Sequence, residues 1–155
     1  MRRNYPEKPE KVYFMGTCLA DMLYAEAGLA GIRLLEREGV KVIYPRDQTC
    51  CGQPAFNSGF QEEALEVALH QIHCFPKAYP IVVPSGSCGA MMVRHYPELF
   101  EGHPLEQKAI EFSSRIFELS EFLHHVLKIR LKDQGVPVKV TWHTSCHAKR
   151  ELGLG

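Results

Sequence analysis

Four short runs rich in valine, isoleucine and aromatic residues punctuate this chain, and a cysteine follows each within a few positions. The runs are Val12–Met15, Val40–Tyr44, Ile81–Val83 and Val138–Trp142. Their apolar, β-branched character suits strands buried on both faces of a parallel sheet. Helical stripes lie between them. Leu23, Ala27, Ala30 and Leu34 keep a 3.6 period, with Gly39 where a C-terminal cap belongs. Leu65, Ala68, Leu69 and Ile72 make a second stripe, and Ala109, Phe112, Ile116, Leu119, Leu123 and Val126 a third, longer one. Strands alternating with helices predict an α/β fold, a parallel sheet flanked by helices in a Rossmann-like, three-layer arrangement.

The cysteines fall on this scheme in a pattern. Cys18 follows the first predicted strand, Cys50 and Cys51 the second, Cys88 the third and Cys146 the fourth. That is the carboxyl edge, where open α/β sheets bind ligands. Helix N-termini there offer free N–H groups that favour thiolates. Adjacent cysteines such as Cys50-Cys51 are poorly disposed to bond each other, because a disulfide needs a specific Cα separation and torsion. Two neighbouring thiols aimed at one point suit a metal or a cluster. Cys74 sits off this edge on a predicted helix and reads as a small hydrophobe. His143 and His147 flank Cys146 without completing a zinc set, and His124-His125 reads as a surface pair. Met22, Met91 and Met92 read as packing. Gly86 and Gly89 either permit a tight turn or admit backbone N–H groups to the site.

Composition narrows the function classes. A chain of 155 residues with 45% hydrophobic content has enough material for a real core. Eighteen basic residues balance 18 acidic ones, and no basic cluster exceeds Arg2-Arg3, so nucleic acid is not an expected partner. No apolar run reaches membrane-spanning length, and the N-terminal residues 1–11 lack a secretory signal. Six cysteines without such a signal place the expected setting in the reducing cytoplasm. No G-x-G-x-x-G or phosphate loop is present.

Three motifs carry a resemblance: Cys50-Cys51-Gly52-Gln53-Pro54-Ala55-Phe56-Asn57-Ser58-Gly59, Pro84-Ser85-Gly86-Ser87-Cys88, and His143-Thr144-Ser145-Cys146-His147 with Arg150. They resemble the cysteine-rich, double-cysteine-glycine family, which includes the cysteine-rich subunit of heterodisulfide reductase, the glycolate oxidase iron–sulfur subunit and the lactate utilisation protein A group; the last is the nearest in motif. Ser85 stands where the family pattern has a further cysteine. The resemblance implies that Cys18, Cys50, Cys51 and Cys88 hold an iron–sulfur cluster, [4Fe–4S], with zinc as the alternative metal. It implies electron transfer in a 2-hydroxy-acid (L-lactate or glycolate) oxidation system with partner subunits. An exposed cluster is expected to be lost in air, leaving the double-cysteine loop, residues 46–59, mobile or disordered. The rival readings are a structural zinc-binding scaffold and a heterodisulfide-reductase-like thiol redox protein.

An internal repeat sets the expected domain plan. The segment from Lys11 to Cys18 resembles that from Lys139 to Cys146. Family members carry two copies of the unit. Residues 1–137 thus read as the first cysteine-rich unit and 138–155 as the start of a truncated second one, in which Cys146 would serve a second site. Such a fragment is expected to self-associate through its uncovered apolar strand.

Overall fold

The β-branched runs pair as strands because each is apolar on both faces and needs a layer on either side. In the computed structural model, which describes residues 3–130, 132, 135–141, 143 and 145–154, four parallel strands form one sheet in the order β2-β1-β3-β4. They are β1 (Lys11–Phe14), β2 (Lys41–Ile43), β3 (Ile81–Val83) and β4 (Ile116–Glu118). Val12 pairs with Val42, Tyr13 with Ile81, and Val82 with Phe117.

Alternation along the strands builds two cores. Tyr13, Met15, Ile81, Val83 and Ile116 join one cluster with Ala68, Ile72, Tyr96 and Phe112. These come from α4 (Gln61–Cys74), α6 (Tyr96–Leu99) and α7 (Glu106–Ser114). Val12, Phe14, Val82 and Phe117 form the opposite cluster with Leu35, Phe122 and Val126. Here the cover is α2 (Ala25–Arg37) and α8 (Leu119–Glu121), which runs on as a π-helical turn over Phe122–Val126. The result is the expected three-layer α/β sandwich. The described residues contain one such sheet.

Two expectations fail, and for related reasons. The third predicted helix is interrupted by β4, because Ser113-Ser114 are indifferent helix formers and Ile116-Phe117 supply one side chain to each face of the sheet. Glu118 then closes the strand and opens α8. Its carboxylate accepts from the Ser120 and Glu121 N–H groups at 2.8 and 3.1 Å, and Glu121 accepts from the Glu118 N–H at 3.2 Å. This is a capping box built from glutamates. With that sheet edge filled by β4, the run 138–142 forms no strand among its described residues. Val138 and Val140 are exposed, and Trp142 lies outside the described residues.

The first helical stripe is only partly buried: Leu34 packs against the core. Leu23, Ala27 and Ala30 are exposed, whereas Gly31 and Leu35 are buried, with Gly31 set against the Phe14 ring. Two helices replace one there, α1 (Cys18–Leu23) and α2, and α1 buries none of its residues. Met22 is 78% exposed rather than packed, while Met91 and Met92 are fully buried. The second stripe, on α4, buries Ala68 and Ile72 as expected.

Candidate functional site

The sheet order fixes where a ligand would sit. From β1 the chain crosses one way to β2, and β3 lies on β1's other side. Loops leaving β1 and β3 therefore diverge, and the crevice beyond their carboxyl ends is the ligand position of open α/β sheets. Cys18 follows β1 and opens α1. Cys88 follows β3 within α5 (Gly86–Ala90), and Cys50-Cys51 lie after β2, just before α3 (Gln53–Asn57).

The structure brings these four sulfurs together. Cys18 and Cys50 Sγ are 3.7 Å apart, and the Cys51 thiol interacts with those of Cys50 and Cys88. The sulfurs thus form a row, 18–50–51–88. All are free thiols. Among the described residues no three Cys, His, Asp or Glu side chains converge on one point to hold a single ion.

The four thiols differ in how readily they ionise. Hydrogen bonds to Cys50 and Cys88, with burial, push the Cys51 thiol far up, so it keeps its proton. The Cys51 thiol hydrogen bond, helped by the Gly52 N–H, pulls Cys50 down to about 5. The same partner, with the Ser85 and Ser87 hydroxyls, pulls Cys88 down to about 7. Burial and its hydrogen bond to Cys50 push Cys18 up. Neighbouring thiolates repel, so the four sulfurs do not all ionise together. A polycationic group would relieve that repulsion and release the remaining protons. This donor set fits an iron–sulfur group, whose ligands bind separate irons and need not meet at one atom.

Local sequence holds the sulfurs in place. Thr17 sits at φ 60°, ψ 149°, a region nearly reserved for glycine that costs a threonine about 1–3 kcal/mol. That turn delivers Cys18 to the crevice, and the Thr17 hydroxyl caps α1 by accepting from the Ala20 N–H at 3.3 Å. Gln48 ties two loops together. Its Oε1 accepts from the Gly16 N–H at 2.8 Å, and its Nε2 donates to the Phe14 and Pro45 carbonyls. Gly52 takes φ +84°, and a Cβ there would lie 3.3 Å from the Ala64 carbonyl. The glycine after the cysteine pair is therefore required both by the left-handed turn and by the close approach of α4.

Buried polar groups grip the Cys50-Cys51 backbone from below. Gln71, fully buried on α4, donates its Nε2 to the Thr49 and Cys50 carbonyls, while its Oε1 has no partner among the described residues. The Tyr96 hydroxyl donates to the Cys51 carbonyl at 3.0 Å. Burial, then the thiolates nearby, hold that phenol well above its ordinary range. Gln53 Nε2 reaches the Ser87 carbonyl at 3.2 Å, joining the double-cysteine loop to α5. Residues 46–59 thus contain a helix and several anchors. Sequence reasoning missed these groups, although Gln71 left a signal: a lone amide on the apolar face formed by Ala64, Ala68 and Ile72.

The other singled-out residues lie elsewhere. Ser85, at the position of the family's extra cysteine, caps α5 by accepting from the Cys88 N–H at 3.4 Å. Cys74 is half-buried, donates to the Asp47 carbonyl and touches His70 Nε2 at 3.4 Å. Cys146 is exposed at the start of α9 (Cys146–Arg150), and His147 pairs with Glu151 at 3.7 Å. His143 is exposed, and His124 and His125 are too, with His125 stacked on Tyr5. Gly86 serves packing, since a Cβ there would meet the Ala148 Cβ of α9 at 2.6 Å. No helix among the described residues is long and apolar enough to cross a membrane.

A lactate utilization protein A from Geobacillus kaustophilus is 45% identical over 145 residues, which cover 93% of this chain and 60% of that protein. One from Halalkalibacterium halodurans is 44% identical over 92% of this chain and 59% of its own length. One from Shouchella clausii is 46% identical over 88% and 57%. The chain thus spans about 60% of the length of these curated relatives. No solved structure matches it. The profile of the cysteine-rich domain family matches residues 12–93, from the first strand to just past Cys88, and the chain belongs to that family.

Proposed function

We propose that Cys18, Cys50, Cys51 and Cys88 ligate one iron–sulfur cluster, [4Fe–4S], and that the protein carries electrons in the oxidation of a 2-hydroxy acid. L-lactate is the first candidate, in keeping with the names of the relatives, and glycolate the second. The row of four thiols at the switch point of the sheet carries this reading. When bound, such a group supplies one-electron chemistry. The chain's own residues do the rest. Gln71 and Tyr96 fix the Cys50-Cys51 peptide, the Ser85 and Ser87 hydroxyls stabilise negative charge on Cys88, and N–H groups of Leu19, Gly52 and Gln53 do so for the other sulfurs. On this reading partner subunits share the hydroxy-acid chemistry. The setting is cytoplasmic on this reading, and residues 138–155 open a second cysteine-rich unit after the first, residues 1–137.

One distance favours zinc as a second reading. A tetrahedral zinc thiolate with Zn–S of about 2.3 Å has S–S edges of about 3.8 Å, close to the 3.7 Å between Cys18 and Cys50. A third ligand meeting that pair at one point is what the described residues lack. Anaerobic reconstitution with ferrous iron, sulfide and zinc in competition, followed by elemental analysis, separates the two. Bound iron and sulfide with a broad band at about 400 nm is expected. Stoichiometric zinc without sulfide would replace the electron-transfer reading with a structural one.

A further inference from the structure

A cavity of about 410 Å³ opens beside the outer end of the thiol row, lined by Cys18 and Cys50 together with Asp21, Tyr44, Arg46 and Thr49. Its volume falls in the ~300–1,000 Å³ range of small-molecule sites. The lining is chemically uneven. Arg46 is exposed, and among the described residues no carboxylate pairs with it. A guanidinium with its fork open suits a carboxylate, which it can bind through two parallel hydrogen bonds. Tyr44 donates to Asp21 Oδ1 at 3.0 Å, so its phenol oxygen and the second Asp21 oxygen are acceptors. A ligand hydroxyl can donate to either. The Asp21 carboxylate also repels a second negative charge in the same space. The donors and acceptors therefore select a ligand with one carboxylate and at least one hydroxyl.

We propose that this cavity binds a small hydroxy-carboxylate monoanion, its carboxylate on Arg46 and its hydroxyl on the Tyr44–Asp21 pair, against the open side of the thiol row. Naming the ligand as a 2-hydroxy acid rests on the function proposed above; the cavity's preference for a hydroxylated monoanion does not.

The test is a heteronuclear NMR titration of the metal-free chain with L-lactate, acetate, malonate and inorganic phosphate. Saturable L-lactate shifts should cluster at the amides of Asp21, Arg46 and Thr49, with acetate weaker and malonate weaker still. Arg46→Gln should weaken L-lactate about tenfold, the loss of one charge-assisted contact. Tyr44→Phe should weaken L-lactate about threefold while leaving acetate unchanged, because only the hydroxyl contact is lost. The dispersion of each variant's spectrum reports whether it folds. In a second readout, L-lactate should slow alkylation of Cys18 in the wild-type chain and not in Arg46→Gln. Non-saturating shifts, equal affinity in folded Arg46→Gln, or phosphate binding as tightly at the same amides would overturn the proposal. The titration needs no metal, so its failure leaves the cluster reading standing, and a failed reconstitution leaves the cavity standing.

Discussion

The two ends of the thiol row are held in opposite ways. Cys51 and Cys88 are buried, backed by Tyr96, Gln71, Gln53 and the two serines. Cys18 is exposed on a helix that buries nothing, beside Leu19, Met22 and Leu23, all exposed. Burying one Leu or Phe side chain is worth ~1.5–3 kcal/mol, so the inner end inherits the stability of the sheet and the outer end does not. Fixed sulfurs on one side and an accessible one on the other suit a site whose geometry is set from within and whose traffic comes from outside.

The largest effect that could break this contrast is loss of the bound group. Cys51→Ser should reduce reconstituted iron and sulfide to less than about a tenth of wild type, because it removes a buried sulfur from the fixed inner part of the site. Cys18→Ser should retain about half or more, since water can reach and complete that corner. Iron content per chain reads the difference. Equal losses would mean that the open end is as essential as the buried one.

A smaller effect concerns the supports. Tyr96→Phe removes a buried donor from the Cys51 carbonyl and should cost about 1–3 kcal/mol in urea unfolding. Gln71→Ala strands the Thr49 and Cys50 carbonyls and should cost about as much. By contrast, Met22→Ser on α1 should change stability by less than about 0.5 kcal/mol. A large penalty at Met22 would show that α1 is anchored more firmly than its exposure implies.

The smallest effect is a difference in pH profile within the metal-free chain. Cys50, drawn down to about 5 by the Cys51 thiol, is ionised throughout the neutral range. Its thiolate is lost only as pH falls through that value, so its alkylation rate should be flat from about pH 6.5 to 9. Cys74 is pushed up by burial and by the Asp47 charge, so its rate should still be climbing at about pH 9. Peptide mass spectrometry resolves the two profiles.

Much of this was legible in the sequence, and the gaps have physical causes. Three strands were marked by runs apolar on both faces, and the cysteines after them marked the carboxyl edge. The fourth strand was not. Ile116-Phe117 sits inside a helical period, and only the Glu118–Glu121 capping box betrays the break. The valines at 136, 138 and 140 alternate like a strand, but that edge of the sheet is already taken. The face of α2 was only partly legible because Gly31, which no hydrophobic stripe marks, lies against Phe14 and Leu119. Of the site, the thiols were legible from spacing, whereas Gln48, Tyr96 and Ser87 were not. Their roles depend on which backbone carbonyl or sulfur the fold brings within reach, and no periodicity records that.

The central claim is that four particular thiols share one bound group. Residue-by-residue alkylation of the reconstituted and metal-free chains under anaerobic conditions tests it most directly. The account predicts that Cys18, Cys50, Cys51 and Cys88 are protected together on reconstitution, while Cys74 and Cys146 label as in the metal-free chain. Cys18 labelling at its metal-free rate in a fully loaded sample, or protection extending to Cys74, would contradict it.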